Sequence, residues 1–278
     1  MSDLLHDAFK QTGEVMDELT AKAREANAVG TSRRNFFAGT AKLAGATALG
    51  AAGIGLVQPL AAAAAVAPTT SSTDTTKDIL NVAATAEALA STFYYHALES
   101  HFLPDVNSSA NRNYFQAALI QEYTHLEILR SLHGAPAVRK FYFPENMFKD
   151  ETVFFTTASL LEDYFISAYI AAAMEFSGAV SSGIRKANPV AIGLAVQIAG
   201  VECEHRALLR VASNANPANN RLIESALIAS VSDAVAPLTP FLTGGSGFVG
   251  PYNLPSQSAC DTTAQPYGFS FFPSYTIV

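Results

Sequence analysis

Two short segments constrain this chain more than anything else in it. Gln121-Glu122-Tyr123-Thr124-His125 and Val201-Glu202-Cys203-Glu204-His205 each place a His three residues after a Glu, inside strongly helical stretches. Three residues advance an α-helix by about 300°, nearly a full turn, so carboxylate and imidazole leave from one face. Such a pair can ligate one divalent ion. Residues 68–278 contain eleven Glu and five His, for which random placement gives roughly a quarter of one Glu-x-x-His pair. Two pairs on two amphipathic helices raise the question of which other helices supply the remaining ligands.

Periodicity points to an answer. A first helix is expected over 78–103, with Leu80, Ala83, Glu87, Ala90, Tyr94 and Leu98 on its inward stripe, Asp74 or Thr75 as its cap and Pro104 beyond its end. A second ends near Leu132 and carries Phe115, Leu119, Glu122, His125 and Leu129. A third covers 151–177 with Phe155, Ala158, Glu162, Phe165 and Tyr169. A fourth opens at Asn188-Pro189 and carries Leu194, Ile198, Glu202, His205 and Leu209. Each stripe therefore holds one Glu among apolar or small residues: Glu87, Glu122, Glu162 and Glu202. Carboxylates buried without partners are strongly unfavourable, so four together require cations or shared protons. Four carboxylates and two imidazoles are enough for two divalent ions about 3.5–4 Å apart.

The order Glu87, Glu122-x-x-His125, Glu162, Glu202-x-x-His205 resembles the ferritin-like superfamily of di-iron and di-manganese carboxylate bundles. Within it, the chain is most similar to exported ferritin-like domain proteins grouped with plant desiccation-related proteins, over roughly residues 75–242. The resemblance implies an all-α, ferritin-like four-helix bundle with one long crossover. Residues 134–150, with Pro136 and Pro144, are long enough to be that crossover. It also implies that Glu122 and Glu202 bridge two metal ions, with Glu87 and His125 completing one shell and Glu162 and His205 the other. The cofactor expected is two Fe ions, or alternatively two Mn ions. The implied chemistry is Fe(II) oxidation or reaction with dioxygen or peroxide. The alternatives are a manganese-catalase-like disproportionation of peroxide, or a non-catalytic stress or envelope protein with a structural metal site.

The rest of the chain divides around this body. Residues 1–67 contain Thr31-Ser32-Arg33-Arg34-Asn35-Phe36-Phe37, which resembles a twin-arginine export signal, followed by a weakly apolar Ala/Gly segment and several small-x-small cleavage options. The twin-arginine export machinery is therefore an expected partner. The expected location is the periplasm or cell envelope, with anchoring by an uncleaved signal as the alternative. Residues 68–76 read as a Ser/Thr-rich linker. Residues 77–242 are the bundle plus a fifth helix expected over 220–236. Residues 243–278, rich in Pro, Gly and aromatics, read as an irregular arm lying over the domain or a neighbouring subunit of a homo-oligomer, with slight strand content. From residue 68 onward eleven Lys/Arg face eighteen Asp/Glu. An acidic body with no basic run excludes nucleic acid as the partner.

Direction and distance set the other candidates aside. Asp163, Glu127 and Glu204 point away from the stripe, and Glu175 lies more than three turns beyond Glu162. His96 and Glu99 read as a solvated face. Tyr94, Tyr123, Tyr164 and Tyr169 are near enough to serve as hydrogen-bond donors or redox-active phenols, but core packing is the first reading for each. Cys203 reads as a contact with a neighbouring helix, and Cys203 and Cys260 are not expected to pair.

Overall fold

The computed structural model describes residues 74–178 and 186–264. Residues 1–73, where the export signal and linker are expected, and the last fourteen residues of the arm lie outside the described residues. Four long helices make the body: α1 Thr76–Glu99, α2 Arg112–Ser131, α3 Glu151–Phe176 and α4 Pro189–Ala212. Their starts follow from local chemistry. Thr75 and Asp78 form a reciprocal capping box on α1, the Asp150 carboxylate accepts from Thr152 N and Val153 N, and Asn188 caps α4 with Pro189 at its first position. Asp74, the other expected cap, instead accepts hydrogen bonds from the backbone N–H and hydroxyl of Ser232.

α1 packs chiefly on α2 and α3 on α4, giving two helical hairpins. Ile79 near the start of α1, Leu132 beyond the end of α2, Phe176 at the end of α3 and Val190 at the start of α4 line one cavity. Those four termini therefore share one end of the bundle, and the order is up-down-down-up. Parallel α2 and α3 require the intervening segment to travel the bundle's length. It begins tied to α1: Asn81 Oδ1 accepts from Ala135 N and Thr85 Oγ1 from Ala137 N, both at 2.9 Å. Gly134 sits so close that a Cβ there would lie 2.8 Å from the Leu80 carbonyl oxygen. Ala is common along α1, and Ala84, Ala88 and Ala90 are fully buried, which lets its neighbours approach closely.

One expectation is corrected beyond α4. The fifth helix over 220–236 does not form as such: 214–230 is irregular, a 3-10 turn covers Val231–Ala234, and the helix α5 runs Val235–Thr243. The cause lies on α3, where the Ser167 hydroxyl donates to Ser225 O at 2.7 Å and accepts from Leu227 N at 3.1 Å. These groups are thus taken out of any i to i−4 ladder. Arg221 is fixed in the same region by both oxygens of Asp163, each at 2.7 Å. The slight strand content expected in the arm is present and takes a definite partner. The crossover contributes β1 Lys140–Pro144, which pairs antiparallel with β2 Phe248–Asn253 in the arm. The arm then forms α6 Gln257–Thr263, which packs on α1 and α2 through Gln116 Nε2 donating to Thr263 O and the Thr263 hydroxyl donating to Glu99. Among the described residues, no helix is long and apolar enough to cross a membrane.

Candidate metal centre

The structure brings all six sequence-selected side chains to one place between the helices. Glu87 of α1, Glu122 and His125 of α2, Glu162 of α3, and Glu202 and His205 of α4 are all buried, the four carboxylates at 2, 0, 0 and 0% exposure. Their donor atoms form two overlapping groups: Glu87, Glu122, His125 and Glu202, and Glu122, Glu162, Glu202 and His205. Glu122 and Glu202 belong to both.

Individual atoms show how the sharing works. His205 Nδ1 lies 3.0 Å from Glu202 Oε2 and 2.9 Å from Glu122 Oε1. His125 Nδ1 lies 3.5 Å from Glu202 Oε1 and 3.8 Å from Glu122 Oε2, with Glu87 Oε2 at 3.4 Å. Each shared carboxylate thus turns one oxygen to each imidazole. Both rings face inward through Nδ1. The outer nitrogen of His205 is held by Gln121, whose Oε1 is 2.9 Å from Nε2. An Nε2–H donated to that oxygen leaves Nδ1 as the inward donor in the neutral ring. Sequence reading passed over Gln121, although it sits one turn before His125 on the same face. Gln121→Leu is expected to weaken metal binding by roughly 10–100-fold while leaving helical content unchanged, as read by competition against a chelator.

Two tyrosines, read from the sequence as core, are hydrogen-bonded to the outer carboxylates. The Tyr94 hydroxyl of α1 donates to Glu162 Oε1 of α3 at 2.5 Å, and the Tyr169 hydroxyl of α3 donates to Glu87 Oε1 of α1. Each tyrosine stands seven residues, two turns, after the Glu of its own helix. The reciprocal pairing follows because α1 and α3 run in opposite directions. The repeated Glu-x6-Tyr spacing was the available signal. Tyr123 and Tyr164 are packed in the core as expected.

Electrostatics are severe here. Burial and the neighbouring Glu202 carboxylate push Glu122 and Glu162 well above the usual carboxylate range. Burial alone would raise Glu202 too, but the two imidazoles facing it, His205 hydrogen-bonded at 3.0 Å and His125 at 3.5 Å, outweigh it and hold this group at about 2. Burial opposes charge on both imidazoles, yet the surrounding carboxylates raise His125 strongly and His205 less. Even so, Glu87 Oε2, both oxygens of Glu122, Glu162 Oε2, Glu202 Oε1 and His125 Nδ1 have no properly directed hydrogen-bond partner. Buried polar atoms are normally satisfied. Six orphaned donor atoms, hard oxygen and imidazole nitrogen, facing a common centre fit a pair of divalent cations.

The remaining candidates fall outside the cluster. Glu127 is exposed and pairs with Arg130, and Glu204 is exposed. Asp163 backs the site by holding Arg206 at 3.1 Å and Arg221. Both cysteines are free thiols. His96 corrects an expectation: it is not a solvated partner of Glu99 but packs edge-on to Tyr252, with ring centroids 4.8 Å apart, and against Phe148. Glu175 is buried away from the cluster, where its Oε1 accepts from Val231 N at 3.2 Å. Burial and the charge of Asp74 push it up to about 8. An acid raised above its unfolded value of 4.5 binds more protons folded than unfolded across that interval. Its contribution is therefore full below that range and is lost as pH rises toward 8. Glu175→Gln should unfold at higher urea than the parent near pH 9, by on the order of 2 kcal/mol, and differ little near pH 5.

Comparison with known proteins agrees with this architecture. No curated protein and no solved structure matches the chain. The family model described as a ferritin-like domain matches residues 75–215, half of the chain and all four helices that supply the cluster. The chain belongs to the ferritin-like domain family.

Proposed function

We propose that the six residues hold two divalent metal ions, iron or alternatively manganese, and that the centre reacts with dioxygen or peroxide or oxidises Fe(II). The observation that carries this reading is the sharing of Glu122 and Glu202, each with one oxygen toward either histidine. In this reading Glu122 and Glu202 would be shared by the two ions, with Glu87 and His125 holding one and Glu162 and His205 the other. Bound there, two redox-active ions would supply electrons to dioxygen or peroxide and would take them back from Fe(II) or a second peroxide. The chain's own groups do the rest. Tyr94 and Tyr169 fix the outer carboxylates, Gln121 fixes the His205 tautomer, and the surrounding core keeps bulk water out. Six donors for two ions leave coordination positions for a small molecule. The test is metal analysis of protein purified without chelator, followed by assays of Fe(II) oxidation and peroxide disproportionation. Two equivalents of metal per chain and turnover in one assay are expected. No bound metal and no gain on reconstitution would overturn the proposal.

We further propose that the chain is exported folded through the twin-arginine route, on the support of Arg33-Arg34 set between Ser32 and Asn35-Phe36. Export after folding lets the site take its metal where availability favours the right ion. Replacing both arginines with lysine should leave the protein in the cytoplasmic fraction. Unchanged export of that variant would refute the route.

A further inference from the structure

A cavity of about 240 Å³ runs along the bundle beside the six-residue cluster. Its floor is built from residues one turn from the cluster on each helix. Ala83 precedes Glu87 by four, Leu129 follows His125 by four, Phe165 follows Glu162 by three, and Ile198 precedes Glu202 by four. Ala86 and Tyr164, one and two residues from Glu87 and Glu162, also line it, so the inner end of the cavity comes within one helical turn, about 5.4 Å, of the carboxylates. Tyr169 belongs to both, lining the cavity while its hydroxyl donates to Glu87. At the other end the lining reaches exposed Thr76 and Asn188, at the starts of α1 and α4.

The shape and chemistry of the lining select an occupant. Along α1 it extends from Thr76 to Ala86, and along α4 from Asn188 to Ile198. Ten residues in either case span about 15 Å. A cavity that long with this volume is narrow. Its lining contains no Asp, Glu, Lys, Arg or His, and almost every residue between the mouth and Tyr169 is aliphatic or aromatic. A hydrated ion or a peroxide molecule gains nothing from such walls, because its hydrogen bonds to water would go unreplaced. An apolar group does gain, by roughly 25 cal/mol for each Å² removed from water. A smaller dry cavity of about 150 Å³ lined by Leu, Ile and Phe takes up benzene.

We propose that this cavity binds one unbranched aliphatic chain, inserted end-on from the Thr76–Asn188 mouth, and brings its inner end beside Tyr169 and the Glu87–His125 side of the centre. The substrate class of the site is then a hydrocarbon chain, a statement that rests on the di-metal reading for its catalytic meaning but not for binding. Tyr169 marks where apolar wall gives way to polar donors, so it sets the depth to which a chain can enter.

The experiment is calorimetric titration of the full chain with decanol, in metal-free and metal-loaded protein, alongside Ala83→Phe and Ala191→Phe. Both positions line the cavity and neither is in the cluster. Saturable binding of one decanol per chain, at least tenfold weaker in a variant that keeps its helical circular dichroism and its metal content, is the expected result. Two filling variants guard against a folding failure in one. Absence of saturable binding in the parent chain overturns the proposal, as does parent-like binding in a folded filling variant. Binding that emerges only when residues 265–278 are removed also overturns it, since the chain's own arm would then be the occupant. Decanol binding in protein that takes up no metal removes the di-metal reading and leaves the cavity assignment standing. Metal uptake without decanol binding does the reverse.

Discussion

Glu122→Ala is expected to abolish binding of both metal ions, whereas Glu87→Ala should abolish one. The difference follows from position rather than from chemical type, since both are buried glutamates in the same cluster. Glu87 stands in only one of the two donor groups, but Glu122 stands in both and offers an oxygen to either histidine. Metal analysis after equilibration with Mn(II), or anaerobically with Fe(II), should therefore read two, one and zero ions per chain for parent, Glu87→Ala and Glu122→Ala. A parent-like stoichiometry in Glu122→Ala would remove the bridging assignment. The double variant Glu122→Ala with His125→Ala should remain a folded helical bundle and melt higher than the metal-free parent. In the metal-free parent these positions contribute three of the six orphaned donor atoms. Each orphaned group costs on the order of 1–3 kcal/mol. The cavity left by truncation takes part of that gain back, so the net rise is a few degrees.

Metal itself should produce the larger thermal shift. An ion that binds only the folded chain stabilises it by about 2.7 kcal/mol at a free concentration one hundred times its dissociation constant. Two such sites give about 5 kcal/mol, and in a domain of this size each kcal/mol moves the melting temperature by roughly 2–4 °C. Differential scanning calorimetry is expected to show a rise of about 10–20 °C on loading, reversed by chelator. Glu87→Ala should show about half of it, and the Glu122→Ala, His125→Ala pair none. A shift of equal size in the double variant would mean that the ions bind elsewhere. The two experiments are independent, because one counts ions and the other reads the free energy they contribute.

The parts of this molecule that sequence made legible are those governed by one helix at a time. A 3.6-residue period places Glu87, Glu122, Glu162 and Glu202 on inward stripes, and two Glu-x-x-His pairs stand well above chance. Asn188-Pro189 announces the start of α4 and Pro104 follows the end of α1. What stayed hidden depends on pairs of elements. Tyr94 and Tyr169 could be identified as carboxylate partners only once α1 and α3 were known to run oppositely. The β1–β2 ribbon joins residues more than one hundred positions apart, in segments short enough and proline-containing enough to read as loop. The stretch 220–236 has an amphipathic pattern, but Ser167 and Asp163 on α3 offer its backbone and Arg221 better partners than a helix would. Local pattern proposes, and a neighbouring element decides.

The two-hairpin construction has a kinetic consequence. The first hairpin carries Glu87, Glu122 and His125, and the second carries Glu162, Glu202 and His205, so each owns three donors and lacks one for its own group. The missing donor in each case comes from the other hairpin. Helical hairpins form from contacts close in sequence and are fast, whereas joining them across the long crossover closes a large loop and comes later. Neither half can hold an ion with a full set of ligands before that docking step. Ions held across the seam would leave only when the hairpins part or when Glu122 or Glu202 swings away, so a centre built this way would act as a clasp whose release rate is set by the opening of the bundle.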